Sequence, residues 1–346
     1  MTIKDLAAQT GYSVGTISRV LNNQPHVSQK AREVILLAAA ESGFSLNTNA
    51  KQLKQQHRNN ILVVVKGTSN EMFAELVEAI QRHFSKLTYP LIVDYIDEDR
   101  NEVARGAQLC AEKKPLGIFF LGGNQRNFRT DFGKIDVPCV LVSNSATELN
   151  FSNLSSVYTD DYDASRDAMD SLIRLGHRKI AIVGGKYDGS DTSRLRYNGC
   201  LDAMHRHGVA FDEANDYVGG RFSYQDGYSG TKKLLQNSRS FTALFTVADV
   251  MAIGAIRALQ DHGLRVPEDV SVMGFDGLPL GNYMVPRLST VNQSVELMAQ
   301  RSVEILLGAI ERGEPACHNT ISYSIEQKES TRAKGDFLGD GDVAPD

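Results

Sequence analysis

The chain has 346 residues, of which 42% are hydrophobic and 23% charged, with a formal net charge of −5. Such a composition belongs to a soluble globular protein of one small and one large domain. No apolar run approaches the ~18 residues that a membrane-crossing helix needs, which excludes a spanning segment. The start, MTIKDLAAQ, lacks the apolar stretch of a signal peptide, so the expected location is the cytoplasm.

Three short helices come first. Thr2 caps the first, with Asp5 three residues on as in a capping box. Ile3, Leu6 and Ala7 form its apolar stripe, and Gly11 stops it. Ser13 caps the second, whose inner side is Ile17, Val20 and Leu21. Val14, Gly15, Thr16, Ser18 and Arg19 then face outward, and Asn22, Asn23 and Pro25 break the helix. Ser28 caps the third, with the stripe Ala31, Val34, Ile35 and Ala38 and a stop at Gly43. None is long enough to be stable alone, so the three are expected to pack as one small domain over residues 1–45.

The charge divides along the same line. Residues 1–60 carry seven Lys or Arg (Lys4, Arg19, Lys30, Arg32, Lys51, Lys54, Arg58) and three acids, a net +4, while the remainder nets −9. A basic head on an acidic body suits a protein that brings only its head near phosphates. Residues 46–60, LNTNAKQLKQQHRNN, are polar and amide-rich. They read as a linker able to form a short helix with Ala50 and Leu53 on one face.

From Ile61 strands and helices alternate. Buried strands are expected at 61–65, 91–95, 117–121, 139–143, 179–184, 243–246 and 270–275. One helix carries Phe73, Leu76, Val77, Ile80 and Phe84. Others cover about 101–112, 163–175, 193–207, 226–237, 249–262 and 295–312. This alternation implies an α/β body, residues 61–332, with parallel sheets covered on both faces. Its size calls for two lobes. Residues 333–346 are Gly/Asp-rich and are expected to be a disordered tail. The four cysteines (Cys110, Cys139, Cys200, Cys317) form no CxxC or Cys/His spacing and read as separate reduced thiols. His177, in LGHRK, reads as structural.

The stretches TIKDLAAQTGYSVGTISRVLNN, VSQKAREVILLAAAESGF and N-x-x-A-x-x-L resemble the head of regulators of the lac-repressor (LacI/GalR) family. The resemblance continues in order through GHRKIAIVGG, RLRYNG, VADVMAIGAIRAL, VPEDVSVMGFDGLPLGNYMVPRLSTV and ESTR. It implies a helix-turn-helix head, a hinge helix and a two-lobed, periplasmic-binding-protein-like core. It also implies a homodimer, or a tetramer, that binds palindromic double-stranded operator DNA and acts as a repressor in the bacterial cytoplasm, on the nucleoid when bound to its operator.

By this resemblance the second helix reads DNA. Thr16 and Ser18 would bond phosphates, and Arg19 could pair bidentately with a guanine, worth ~1–3 kcal/mol of discrimination. Val14 would meet a thymine methyl, and Gly15 would permit close approach. Thr2, Ser13, Asn22 and His26 complete the expected DNA-facing set on the head. Asn47, Ala50 and Leu53 match the hinge pattern, with Leu53 as a minor-groove wedge. The chain has Leu46 where the family usually has proline.

The resemblance also places an effector between the lobes, held by Phe73, Arg196, Phe222, Asp249 and Asp276, with one of Asp160, Asp161 and Asp163, chosen as Asp161, joining them. Asp249 also fits a helix cap, and Asp276 follows a strand, where ligands of α/β sheets bind. Family members often have Asn-Asp where this chain has Ala248-Asp249, and Asp-Asp where it has Asp276-Gly277. The expected effector is a sugar or sugar phosphate; a nucleoside or purine is the alternative. An enzyme, or a ligand-binding protein without DNA function, is the reading of another class. The chain has neither GxGxxG nor GxxxxGK[ST] and no nucleophile–base set, so no catalytic residue, metal or cofactor is expected.

Overall fold

The structure, a computed structural model, describes residues 3–21, 27–42, 59–68, 70–85, 87–187, 190–237 and 240–334. The chain forms two compact units, Met1–His57 and Arg58–Asp346.

In the first unit, helices α1 (Ile3–Thr10), α2 (Val14–Leu21) and α3 (Gln29–Glu41) enclose Leu6, Ile17, Val20, Ala31, Ile35 and Ala39. The local devices are those the sequence implies. Ser13 Oγ accepts from the Thr16 N–H at 3.1 Å and Ser28 Oγ from the Ala31 N–H at 3.3 Å, which satisfies N–H groups that a helix start leaves open. Gly11 has φ +73°, a conformation glycine adopts without penalty. The stripe on α3 differs from the expected one. Val34 is 40% exposed and Ala39 is buried, because residues 31, 35 and 39, each four apart, share the inner face. The helix ends at Glu41, with Ser42 as its cap. Gly43, Thr2, Asn22, His26, Asn47, Ala50 and Leu53 lie outside the described residues.

The second unit holds two six-stranded sheets among the described residues. The first lobe contains β1 (Ile61–Lys66), β2 (Leu91–Ile96), β3 (Gly117–Leu121), β4 (Cys139–Val142), β5 (Leu154–Thr159) and β11 (His318–Ile321), ordered β11-β5-β4-β3-β1-β2 and parallel throughout. Helices α4 (Glu71–Phe84), α5 (Glu102–Lys113), α6 (Gln125–Asp131) and α12 (Val295–Arg312) accompany it. The second lobe contains β6 (Ile180–Gly185), β7 (Tyr217–Gly220), β8 (Ala243–Thr246), β9 (Ser271–Asp276), β10 (Ser289–Asn292) and β12 (Ser324–Glu326). Their order is β12-β10-β9-β8-β6-β7, with only β12 antiparallel to its neighbour. Helices α7 (Asp161–Arg174), α8 (Asp191–Arg206), α9 (Glu213–Asp216), α10 (Tyr224–Gln236) and α11 (Asp249–Asp261) belong to this lobe.

The central strands are nearly continuous apolar runs, Ile61–Val65 and Gly117–Leu121 among them, and are buried along their length. That is what strands covered on both faces require. The chain crosses between lobes three times, after Thr159, after Asn292 and after Ile321. The body also extends beyond its expected end. The Lys334 N–H donates to the Leu175 carbonyl at 2.8 Å, so the backbone is tied to the second lobe as far as residue 334, and residues 335–346 lie outside the described set. His177 is buried, with Nδ1 3.0 Å from Thr242 Oγ1 and Nε2 3.1 Å from the Arg332 carbonyl. Burial pushes its pKa down, so a neutral ring fastens the C-terminal segment to the second lobe. The four cysteines are free thiols. Among the described residues no helix is long and apolar enough to cross a membrane.

Candidate functional site

The outward face of α2 carries the head's candidate residues. Val14 is 46% exposed, and Ser13, Gly15 and Arg19 are exposed, while Thr16 and Ser18 are half-buried. The hydroxyls of Ser13 and Thr16 lie 2.9 Å apart, so both take part in capping the helix start. Arg19 is left as the long cationic side chain of this face.

In the second unit a cleft opens between the two lobes, the kind of concave interlobe position that small-molecule sites favour. The first lobe lines it from the carboxyl ends of its strands: Lys66 at the end of β1 and Gly67 after it, Glu98 and Asp99 after β2, Gly122 and Gly123 after β3, and Ser143 and Asn144 after β4. Asn70, Met72 and Phe73 come from the start of α4. The second lobe contributes Lys186, Ser190, Thr192, Arg196, Gly220 and Phe222. Parallel strands deliver their loops at one edge, so two sheets facing each other by those edges enclose a cleft. Ser143 has φ +74° and Asp276 φ +124°. Backbone held in such regions costs of order 1–3 kcal/mol, and such strain gathers at functional sites.

Arg196 organises the floor. Its guanidinium donates to Asp161 Oδ1 at 2.7 Å and to the Val247 carbonyl at 2.5 Å, and lies 3.4 Å from Asp276 Oδ1. It also stacks 3.6 Å from the centroid of the Phe275 ring. Asp276 accepts a further bond from Gln293 Nε2 at 2.8 Å. Burial pushes the Asp276 carboxyl up to about 6 against the pull of Arg196, and burial raises Asp161 in the same way. Asp276 Oδ2 and Gln293 Oε1 are buried acceptors with no protein donor.

The six expected effector residues thus fall into three groups. Phe73, Arg196 and Phe222 line the cleft. Asp161 and Asp276 stand behind Arg196 as its ion partners and do not line the cleft. Asp249 faces neither the cleft nor its own helix start. Its carboxylate accepts from the N–H groups of Gly277 and Leu278 at 2.9 and 2.8 Å and from Thr290 Oγ1 at 2.7 Å, and Ala248 is the cap of α11. It ties the turn after β9 in place. Of the neighbouring acids, Asp160 caps α7 and Asp163 pairs with Arg166.

Lys66, Glu98, Asp99, Asn144, Lys186 and Thr192 were not expected. Each lies at or just after the end of a strand or at a helix start, so strand ends were the available signal. Several bridge the lobes. Asn144 Nδ2 donates to Thr192 Oγ1 at 2.9 Å, and the Gln125 N–H donates to Asp191 Oδ2 at 2.8 Å. At the mouth, Arg221 reaches Asp97 at 3.2 Å, Glu98 at 3.1 Å and also Asp99, and Tyr224 bonds Glu71. Burial pushes the Glu98 carboxyl up against the lowering influence of Arg221.

A sequence profile described as bacterial regulatory proteins of the lacI family matches residues 2–47, and one described as a periplasmic binding protein-like domain matches residues 169–331. Over 335 residues the chain is 33% identical to the HTH-type transcriptional regulator MalR of Clostridium butyricum, covering 95% of this chain and 99% of that one. The chain belongs to the lacI family. This lacI-family chain is also 32% identical over 311 residues to the ribose operon repressor of Haemophilus influenzae, covering 89% of this chain and 92% of the relative. Among solved structures, the lac repressor dimer bound to operator and the anti-inducer ONPF aligns with a TM-score of 0.73 and 26% identity, over 96% of this chain and 99% of that one. As a lacI-family member it is a DNA-binding transcription regulator, not an enzyme.

Proposed function

We propose that this regulator is a cytoplasmic homodimeric repressor whose affinity for a palindromic operator is set by a sugar-like molecule bound between the lobes. The observation that carries the reading is the interlobe cleft, where the Arg196 guanidinium and the rings of Phe73 and Phe222 converge. Hydrogen-bonding groups fix hydroxyls, and aromatic faces cover the apolar side of a sugar ring. An effector that prefers one lobe arrangement shifts the population of that arrangement. A coupling of ~1–3 kcal/mol then changes operator affinity by about 5–150-fold. On the nucleoid, the exposed face of α2 reads the major groove, with Arg19 as the base-selecting side chain. A relative named ribose operon repressor, and a neighbour solved as a dimer on operator DNA, support this reading.

The test is operator binding by gel shift at moderate ionic strength, with and without candidate sugars. Affinity should fall steeply with salt, because each neutralised phosphate releases counterions. Arg19→Ala is expected to lose preference for the operator over unrelated DNA while the second unit keeps its thermal transition. Undiminished sequence preference in that variant would refute the assignment of α2.

A further inference from the structure

Among the described residues, every charged side chain that lines the cleft is paired with another side chain of the protein. Lys66 Nζ lies 2.6 Å from the buried Glu102 carboxylate and also donates to the Arg100 carbonyl. Lys186 Nζ lies 3.6 Å from Asp99. Arg196 is held by Asp161 and Asp276. The two acids of the lining, Glu98 and Asp99, meet Arg221. With Asp97, also on Arg221, six carboxylates stand against four cations.

Helix starts are the other common source of anion affinity. Both α4 and α8 begin at the cleft, at Asn70 and Ser190. Each carries an acid as its first residue, Glu71 and Asp191, which offsets the positive end of the helix. An anionic ligand would have to share each cation with the carboxylates already set against it. Glu102 and Asp276 are buried, and a buried carboxylate left without its partner is strongly unfavourable.

We infer that the cleft takes a ligand without negative charge, an uncharged, hydroxyl-rich molecule of the free-sugar type, and discriminates against sugar phosphates, sugar acids and nucleotides. The inference rests on the reading of the cleft as the effector site and adds the charge class of the effector.

The full-length protein is titrated, by thermal shift and calorimetry, with two panels of probes. One is neutral (ribose, glucose, galactose, maltose, cellobiose) and the other anionic (inorganic phosphate, glucose 6-phosphate, glucuronate, AMP). Each probe is also added to an operator gel shift. At least one neutral sugar should bind and change operator affinity, and its phosphorylated or oxidised counterpart should bind at least about tenfold more weakly. The double variant Glu98→Gln, Asp99→Asn removes two of the acids that neutralise Lys186 and Arg221, and should gain about tenfold in affinity for the anionic probes. An anionic probe that binds the wild-type protein more tightly than its neutral counterpart and changes operator affinity overturns the charge inference and leaves effector control standing. If no probe of either panel moves either readout, the sugar-like effector reading falls and this inference falls with it.

Discussion

Arg221 of the second lobe spans the mouth of the cleft to Asp97 of the first, with 3.2 Å between guanidinium and carboxylate. The same guanidinium meets Glu98 and Asp99, so one side chain clasps a whole acidic turn. These groups are solvent-accessible, and salt screens such pairs. Arg221→Ala should speed release of a bound effector by about three- to tenfold, as expected of a contact that forms mainly in the closed arrangement. High salt should produce much of the same effect in the wild-type protein. Stopped-flow dissociation at low and high ionic strength checks this, and a rate unaffected by either change would remove Arg221 from control of closure.

Arg196 is a different case, because it is buried with both its partners. Arg196→Met would leave Asp161 and Asp276 ionised without their counter-charge, or force them to take up protons. Breaking a buried pair of this kind costs about 3–5 kcal/mol. The second unit should therefore lose on the order of 10 °C in melting temperature. Adding Asp161→Asn and Asp276→Asn to Arg196→Met should restore part of the loss, since no buried charge is then stranded. Calorimetric melting of the single and triple variants distinguishes the two.

The raised carboxyl of Asp276 also gives stability a direction with pH. Its folded-state pKa of about 6 lies above the ~3.9 of an unfolded aspartate. Between those values the folded state binds more protons than the unfolded state. The contribution of this group to stability is thus full at about pH 4 and is lost as pH rises through 6. Asp161 and Asp249, also raised by burial, act in the same sense. Asp276→Asn should flatten the decline of melting temperature over this window. An identical slope in wild type and variant would contradict the assignment.

The loop after β9 carries Tyr283 and Val285, 84% and 88% exposed. Two large apolar side chains this exposed on one loop make it a candidate interaction surface, and a homodimer on a palindrome needs a self-complementary one. Tyr283→Glu with Val285→Glu should weaken dimerisation by about tenfold or more, read by sedimentation. Operator affinity should fall with it, while effector binding persists.

Much of the fold was legible in the sequence, because apolar runs bounded by breakers leave few alternatives. The seven strands expected from such runs occur with ends shifted by no more than one residue. The five strands that escaped notice read LSSVYT, YVGG, STVN, HNTI and SIE. Several of their hydroxyls are satisfied by hydrogen bonds, as Ser156 Oγ is by the Ala146 N–H and His318, and that pairing is not visible along the chain. Helix α6, QRNFRTD, buries only Phe128 and has too short a pattern to show a period.

Of the candidate cleft, the apolar and cationic lining residues Phe73, Phe222 and Arg196 were legible. It was not legible in its carboxylates. Asp161, Asp249 and Asp276 look alike in sequence, and only their partners separate an ion pair from a turn clamp. Glu98 and Asp99 sit in DEDR, which reads as a solvated turn until Arg221, more than a hundred residues later, is brought against it.

The interleaving of the two lobes fixes the order in which a nascent chain can complete them. Strand β11 and helix α12 lie at 295–321 yet belong to the first sheet. A growing polypeptide therefore makes most of the second lobe before the ribosome supplies the last pieces of the first. Domains generally fold as units during synthesis, but here the earlier lobe waits with β5 open at its edge. A premature stop after Asn292 would thus cripple the N-terminal lobe, although the missing codons come from the far end of the message.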